Sequence, residues 1–454
     1  MKKLPFCHPW TNRLMMEEYH TENIKQMKFE ELESIIESGD SNQLRTVLET
    51  GQLNEINKPK SLHGPTLLMI ACNNGSIDCV KVLLEYKADI CYRDYFDSVL
   101  SSACSSGSVE MVHFIIASGF EINDEIIKNI FRSKILMKNT PIISALIEYI
   151  RDINNKFEGT FVHLATRADN ADVVRLLLER GADPNIMYNS CFIIACTEGH
   201  LEVLKVLLTF EAVDELILQD KSKRALEYAL HSGHVHIVRY LVEYGVEYDT
   251  QEALKCSVRC NHVQVTEYLI DNGVEFLTTT IVGGYSLLTH ACCGDHPDMV
   301  KLLLSRGADP NRPDYSGLSL LTAALYNPDL VILVLEGGAD PNSHFSDGST
   351  ALLDVMKTNR SNALDVLTLL LQHGADPNLA HGHTAQTPLM AAALAGRVNA
   401  VKLLLEYGAD MTQVNSEGKS VLDMLGRFST NAGVVELCMQ YKDTNRPDAK
   451  PLLK

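Results

Sequence analysis

Apolar residues recur along this chain with the spacing of an α-helix, and each run stops at a short polar sequence. In residues 300–311, Val300, Leu303 and Leu304 lie on one face of a predicted helix. Gly307 follows at the point where a helix needs a left-handed residue to end, because glycine adopts a positive φ without steric cost. The Asp-Pro-Asn that comes next favours a turn. The pattern therefore predicts a helix that ends in a chain reversal.

The same pattern returns at nearly regular intervals. The glycines that follow Gly307 in equivalent positions are 31, 36 and 34 residues apart. A period near 33 residues is typical of stacked repeat proteins, in which each repeat buries its apolar face against its neighbours. The sequence Gly-Ala-Asp-Pro-Asn begins at Gly181, Gly307, Gly338 and Gly374, and Gly408 begins a copy shortened to Gly-Ala-Asp.

The repeated sequence resembles the ankyrin repeat, whose pattern runs Gly-x-Thr-Pro-Leu-His-x-Ala-Ala, then Gly-His, Val-x-x-Leu-Leu and Gly-Ala-Asp. The best copy here runs from Thr387-Pro388-Leu389 through Gly396 to Gly408. Recognisable copies begin near residues 62, 95, 157, 188, 221, 250, 282, 315, 347, 383 and 416. With one N-terminal repeat and a divergent stretch at 125–156, about thirteen repeats are predicted. The resemblance implies an all-α repeat fold, an ankyrin-repeat solenoid of stacked helix–turn–helix units with hairpin loops.

The predicted organisation has three parts. Residues 1–28 form an N-terminal extension, which we expect to be a tail or an end cap, with a short linear binding motif as the alternative. Residues 29–442 form the repeat array, in which the divergent stretch 125–156 should hold two helices without a proper hairpin. Residues 443–454 form a C-terminal tail with two prolines and several charges, which we expect to be loose.

Three sets of residues at fixed repeat positions indicate structural roles. Thr387 is expected to cap a helix N-terminus, and Pro388 suits the first helical position. Alanine recurs at one point of the repeat, where a small side chain lets neighbouring helices approach closely: Ala71, Ala103, Ala195, Ala229, Ala291 and Ala392. Histidine recurs between the two helices, where hydrogen bonding in the turn best explains it: His200, His234, His262 and His296.

Composition narrows the classes of partner. The formal net charge is −18, from 58 acidic and 40 basic side chains, which argues against a nucleic-acid partner. No apolar run approaches 18 residues, so we predict no membrane insertion. Twelve cysteines without a Cys-x-x-Cys pair indicate reduced thiols and a cytoplasmic location, with the nucleus as an alternative. We expect a monomer.

No catalytic, metal-binding or cofactor-binding motif emerges from the sequence. Gly-x-Gly-x-x-Gly, the phosphate-binding Gly-x-x-x-x-Gly-Lys-Ser/Thr and His-Glu-x-x-His are all missing. Histidine and cysteine come together at Cys292, Cys293 and His296, but these are the repeat's alanine and Gly-His positions, which favours a packed turn. We therefore predict a protein that is not an enzyme and carries no cofactor or metal.

What remains is a binding surface. In ankyrin-repeat proteins the hairpins and the first helix of each repeat line a concave face that holds partners, so the resemblance implies a non-enzymatic scaffold or adaptor for another protein. Large side chains in the hairpins are the predicted anchors, although some would instead seal the stack by packing on the next hairpin. They are Tyr92, Tyr95, Phe96, Met187, Tyr188, Arg312, Asp314, Tyr315, His344, Phe345, His381 and His383.

Three alternatives stay open at the level of sequence. One is a substrate-recognition adaptor of a ubiquitin ligase or a similar assembly. The second is an enzyme with an unfamiliar site in the groove. The third is a modification that the resemblance suggests, the hydroxylation of asparagines in the Gly-Ala-Asp-Pro-Asn turns, at Asn185, Asn311, Asn342 and Asn378.

Overall fold

A capped helix, a short turn and a second helix make up the structural element that repeats along the chain. Thr387 lies in extended backbone before the helix Pro388–Leu394, and its hydroxyl accepts a hydrogen bond of 3.2 Å from the Met390 amide. Pro388 occupies the first helical position, where a missing N–H costs nothing. Thr66 caps the helix Leu67–Asn73 in the same way through the Met69 amide. The predicted role of Thr387 and Pro388 is confirmed.

The computed structural model describes residues 29–49, 56–61, 64–93, 97–133, 135–156, 159–186, 190–210, 215–281, 283–312, 319–344, 348–357, 361–426 and 432–444. The N-terminal extension and residues 445–454 of the tail lie outside these residues.

The described residues form twenty-six α-helices and one 3-10 helix, Leu136–Lys138. In chain order the α-helices make thirteen successive pairs, the number predicted from the sequence. They are α1 (29–38), α2 (Ser41–Glu49), α3 (Leu67–Asn73), α4 (Ile77–Glu85), α5 (Val99–Ser105), α6 (Val109–Ala117), α7 (Asp124–Arg132), α8 (Thr140–Ile147), α9 (Phe161–Arg167), α10 (Ala171–Glu179), α11 (Cys191–Glu198), α12 (Leu201–Thr209), α13 (Glu215–Ser232), α14 (Val235–Glu243), α15 (Thr250–Arg259), α16 (Val263–Asp271), α17 (Leu287–Cys293), α18 (Pro297–Ser305), α19 (Leu320–Ala324), α20 (Pro328–Glu336), α21 (Ala351–Lys357), α22 (Ala363–Gln372), α23 (Pro388–Leu394), α24 (Val398–Glu406), α25 (Val421–Leu425) and α26 (Ala432–Thr444).

The chain divides into two compact units, Met1–Lys221 and Ser222–Lys454, with the boundary inside α13. In unit 1, α9 packs on α11 and α10 packs on α12; in unit 2, α17 packs on α19 and α18 on α20. Odd-numbered and even-numbered helices thus form two layers within each unit. The part of the chain that the structure describes has no β-sheet, only isolated bridges at Arg93–Ser98 and Thr280–Ser286. The predicted all-α repeat fold is confirmed.

In most repeats, one small residue lies at the seam between packed helices. All six predicted alanines are fully buried, so a larger side chain would overpack the seam, at a cost of roughly 1–3 kcal/mol each. In the described ranges, no helix combines the length and the apolar character that a membrane crossing would need.

Three repeats have a first helix that starts early, soon after the preceding helix ends. Six residues separate α6 from α7 and α14 from α15, whereas fourteen separate α18 from α19. Asn123 caps α7 through the Ile126 amide, and Asp249 caps α15 through the Gln251 and Glu252 amides. The longest helix, α13, has 18 residues and follows α12 after five. The two helices predicted in the divergent stretch are α7 and α8, and the missing hairpin lies just before the stretch, at 118–123, whereas the early starts of α13 and α15 were missed.

Candidate interaction surface

Several hairpins are attached to the next repeat by the side chain of one asparagine. The Asn342 side-chain amide donates to the Gly374 carbonyl over 3.0 Å, and its oxygen accepts the Asp376 N–H over 2.7 Å. The Asp340 carboxylate accepts the Asn342 N–H over 2.9 Å, which closes the turn. Both halves of one carboxamide therefore connect neighbouring repeats and hold the hairpins in fixed positions.

The same pair of contacts recurs in both units, and we call the set the asparagine ladder. It joins Asn57 to Lys87 and Asp89, Asn154 to Gly181 and Asp183, Asn311 to Gly338 and Asp340, and Asn378 to Gly408 and Asp410. Asn154 lies in the divergent stretch, which lacks Gly-Ala-Asp. Its ladder contacts were missed in the sequence, where the only signal is the Asp152-x-Asn154 spacing that closes the turn.

Two of the predicted binding residues, Arg312 and His344, line one cleft on the hairpin side of unit 2. The cleft has a volume of about 80 Å³, and Asp340 and Ser343 also line it. Arg312 is half-buried and donates from Nη1 to the Leu277 carbonyl of the preceding loop. His344 is exposed. Arg312 therefore joins two hairpins and also presents a fixed positive charge to the cleft.

His381 and His383 lie together on a hairpin further along unit 2. Their ring centroids are 6.0 Å apart, and Nδ1 of His381 accepts the N–H groups of His383 and Thr384 over 3.2 and 3.3 Å. The Gly382 N–H donates to Gly348 in the neighbouring hairpin over 3.0 Å. These bonds hold the turn rigid, and they require a lone pair on Nδ1 of His381, so a neutral ring carries its proton on Nε2.

The structure describes one other predicted binding residue. Tyr92 lies in unit 1, half-buried, with its N–H donating to the Asp89 carbonyl over 3.3 Å. The remaining seven lie outside the described residues: Tyr95, Phe96, Met187, Tyr188, Asp314, Tyr315 and Phe345. The binding role of all twelve stays a prediction.

Sequence comparison decides the family. The model of ankyrin repeats in three copies matches residues 32–126, 187–252, 247–314, 318–415 and 356–448, and the model of a single ankyrin repeat matches residues 160–189. The chain belongs to the ankyrin-repeat family. The matches leave out residues 127–159, which hold most of the α7–α8 repeat.

Individual ankyrin-repeat relatives are similar over part of their length. The chain is 28% identical over 186 residues to the ankyrin repeat and KH domain-containing protein mask-1 of Caenorhabditis elegans, covering 40% of this chain and 7% of that protein. It is 28% identical over 247 residues to the B-cell lymphoma 3 protein homolog of Mus musculus, covering 53% and 41%. The solved ankyrin repeat domain of Bcl-3, of the IkappaB protein family, matches at 25% identity with a TM-score of 0.42, covering 47% of this chain and 97% of that one. The chain thus spans less than half the length of these curated relatives.

Two of the aligned ankyrin-repeat histidines bind backbone carbonyls of the preceding repeat. Nδ1 of His200 donates to the Thr166 carbonyl over 2.8 Å, and Nε2 of His262 donates to the His231 carbonyl over 2.6 Å. Each ring thus links the turn of one repeat to the first helix of the preceding repeat. The predicted structural role is confirmed for these two.

Some exposed side chains on the odd-numbered helices were missed by sequence reasoning. Tyr228 on α13 and Tyr326 after α19 are exposed, and half-buried His290 on α17 lies near Arg259 and His296. Burial, His296 and Arg259 all lower the pKa of His290, so its ring is neutral at pH 7. Repeat position is the sequence signal that could have identified two of them, because Tyr228 and His290 each lie six residues before an aligned histidine.

The thiols of these ankyrin repeats are mostly buried. Eleven described cysteines are free, and only Cys91, Cys260 and Cys293 are exposed. Burial raises the pKa of Cys292 far above its usual value and that of Cys196 to about 12. In the ranges the structure describes, no three His, Cys, Asp or Glu side chains are placed to hold a metal ion.

Proposed function

We propose that the hairpin side of unit 2, between Leu277 and Ser416, binds another protein and that the chain acts as a non-enzymatic adaptor. Ankyrin repeats are in general protein–protein interaction modules. The observation that supports this location is the cleft shared by Arg312 and His344, two predicted binding residues from consecutive hairpins. Arginine and aromatic side chains that converge on a cleft are typical interface anchors.

Rigidity supports the same proposal. The asparagine ladder runs through Asn311, Asn342 and Asn378, so three successive hairpins are tied to the repeat that follows each of them. At the hairpin tips, Gly382 donates to Gly348 and Ser416 donates to Thr384 through backbone N–H groups. A surface whose side chains are already held in place loses less conformational entropy when a partner binds.

The test is affinity purification with a double variant in the full chain. Arg312→Ala with His344→Ala removes both anchors, and the expected result is loss of a specific companion protein from a chain that stays folded, with a small fall in melting temperature because the bond from Arg312 to the Leu277 carbonyl is lost. His236→Ala with Arg239→Ala makes the same residue changes on exposed positions of α14 and should keep the companion. An identical set of companions for both double variants would refute the proposed site.

A further inference from the structure

A second surface lies on the opposite side of the repeats, where one helix turns into the next. The first apolar position of the even-numbered helices is half-buried in most repeats, as at Ile77, Val109 and Val263. In two consecutive repeats of unit 2 it is exposed instead, by 43% at Val398 and by 41% at Leu364. Nearby Tyr326 is 72% exposed. We call Tyr326, Leu364 and Val398 the turn-side patch.

A cavity of about 310 Å³ opens at this patch. Met356, Leu364 and Val398 provide its apolar walls, and Arg397 also lines it. The cavity lies where the connection between α21 and α22 has five residues, two more than the three between α23 and α24. Its volume is at the lower end of the range for ligand pockets, about 300–1,000 Å³, so it suits one or two side chains of a partner.

Arg397 gives the cavity its charge. It occupies the position of His200 and His262, and like them it holds the preceding repeat, with Nη1 donating to the Val355 carbonyl over 2.9 Å. Unlike histidine, arginine stays protonated at every physiological pH. It is the one charged side chain among the described residues that line the cavity. The net charge of the whole chain, −18, repels a partner carboxylate, whereas the guanidinium of Arg397 attracts it.

We propose that the turn-side patch binds an acidic segment of another protein, in which a carboxylate lies next to a large apolar side chain. The carboxylate pairs with the guanidinium of Arg397, and the apolar side chain enters the cavity between Leu364 and Val398. Burial of this side chain supplies the affinity, and the charge pair sets the orientation and rejects basic segments. This proposal does not depend on the hairpin site.

The experiment is selection of a random peptide library on the full chain, followed by binding measurements on the selected peptides. The expected peptides combine Asp or Glu with Leu, Ile, Met or Phe. They should bind at least tenfold more weakly to Leu364→Ser and Val398→Ser, whose melting temperatures should stay unchanged. Arg397→Gln should weaken binding as much, with a small fall in melting temperature because the bond to the Val355 carbonyl is lost. Val263→Ser, the same change at the equivalent position of another repeat, should leave binding unchanged, as should Arg312→Ala.

Several results would overturn the proposal. Selected peptides without acidic residues would remove the role of Arg397, and peptides that bind all three variants normally would place the site elsewhere. Light scattering of the full chain provides a separate check. A dimer that dissociates in Leu364→Ser would show that a second copy of the chain covers the patch instead.

Discussion

Lys87 occupies a backbone position that glycine holds in the best-matching repeats. Its φ is +67°, in the left-handed region, where Gly307 and Gly408 also lie at +91° and +89°. A residue with a Cβ is strained there by roughly 1–2 kcal/mol. The ladder contact at this position uses the Lys87 carbonyl, which accepts from Asn57 and does not depend on the side chain.

Lys87→Gly should therefore stabilise the chain by about 0.5–1 kcal/mol, because the released strain exceeds the added flexibility of the unfolded chain. The measurement is the midpoint of urea unfolding. Gly408→Ala is the matched reverse change, since an added Cβ there meets nothing within 4 Å and only the backbone strain is introduced. A Lys87→Gly chain that is less stable would mean that the lysine side chain contributes more than the strain costs.

Asn342 tests the asparagine ladder at a single residue. Asn342→Ala removes both side-chain bonds to the next repeat, at a cost of about 1–3 kcal/mol. Hydrogen exchange should speed up locally at the Asp376 amide, which loses its acceptor. Asn272→Ala is the control, because the Asn272 side chain donates within its own helix, to the Tyr268 carbonyl. Equal protection of Asp376 in wild type and Asn342→Ala would show that the ladder contributes little.

At the scale of elements, the helix pairs were predictable because each is defined by local chemistry. Thr387 caps a helix and Gly307 ends one, whatever surrounds them. The early start of α15 was harder to predict, because Asp249 can cap a helix or close a turn. The turn-side patch was not predictable at all, since Val263 and Val398 look alike in sequence and differ in how much of each the surrounding residues cover.

The cap of α15 makes a pH-dependent prediction. The N–H groups of Glu252 and Gln251 both donate to the Asp249 carboxylate and hold its pKa below its usual value of 3.8. The unfolded chain therefore binds the proton first as pH falls. The contribution of this cap is fully present above pH 3.8 and is lost as pH falls through the folded-state pKa.

Asp249→Ala should accordingly lower the protection of the first α15 amides at pH 6, and the difference from wild type should shrink below pH 3.8. Hydrogen exchange, corrected for intrinsic rates, measures both. Asp249→Asn keeps an oxygen acceptor and should lose less protection at pH 6. If the difference in amide protection between wild type and Asp249→Ala stayed constant with pH, the ionised carboxylate of Asp249 could not be the cause of that difference.

At the scale of the whole molecule, buried thiols in several repeats make the stability of the chain depend on pH in the alkaline range. Stacked repeats are stabilised mainly by their nearest neighbours, so small local terms add along the array. Burial raises the thiol pKa from 9.0 to about 12 at Cys72, Cys104, Cys191 and Cys196 in unit 1. In the unfolded chain these thiols ionise near pH 9, whereas in the folded chain they stay protonated to about pH 12.

Unfolding therefore releases protons above pH 9, and stability should fall as pH rises from 9 towards 12. Replacing Cys72, Cys104 and Cys196 by alanine should make this fall shallower, measured as urea midpoints at pH 7, 9 and 10 under reducing conditions. Alanine fits these positions, because each cysteine follows an alanine as Ala393 follows Ala392. Cys91→Ala, at an exposed cysteine, should leave the slope unchanged. If the triple variant kept the wild-type slope, alkaline destabilisation would have to come from groups other than these three thiols.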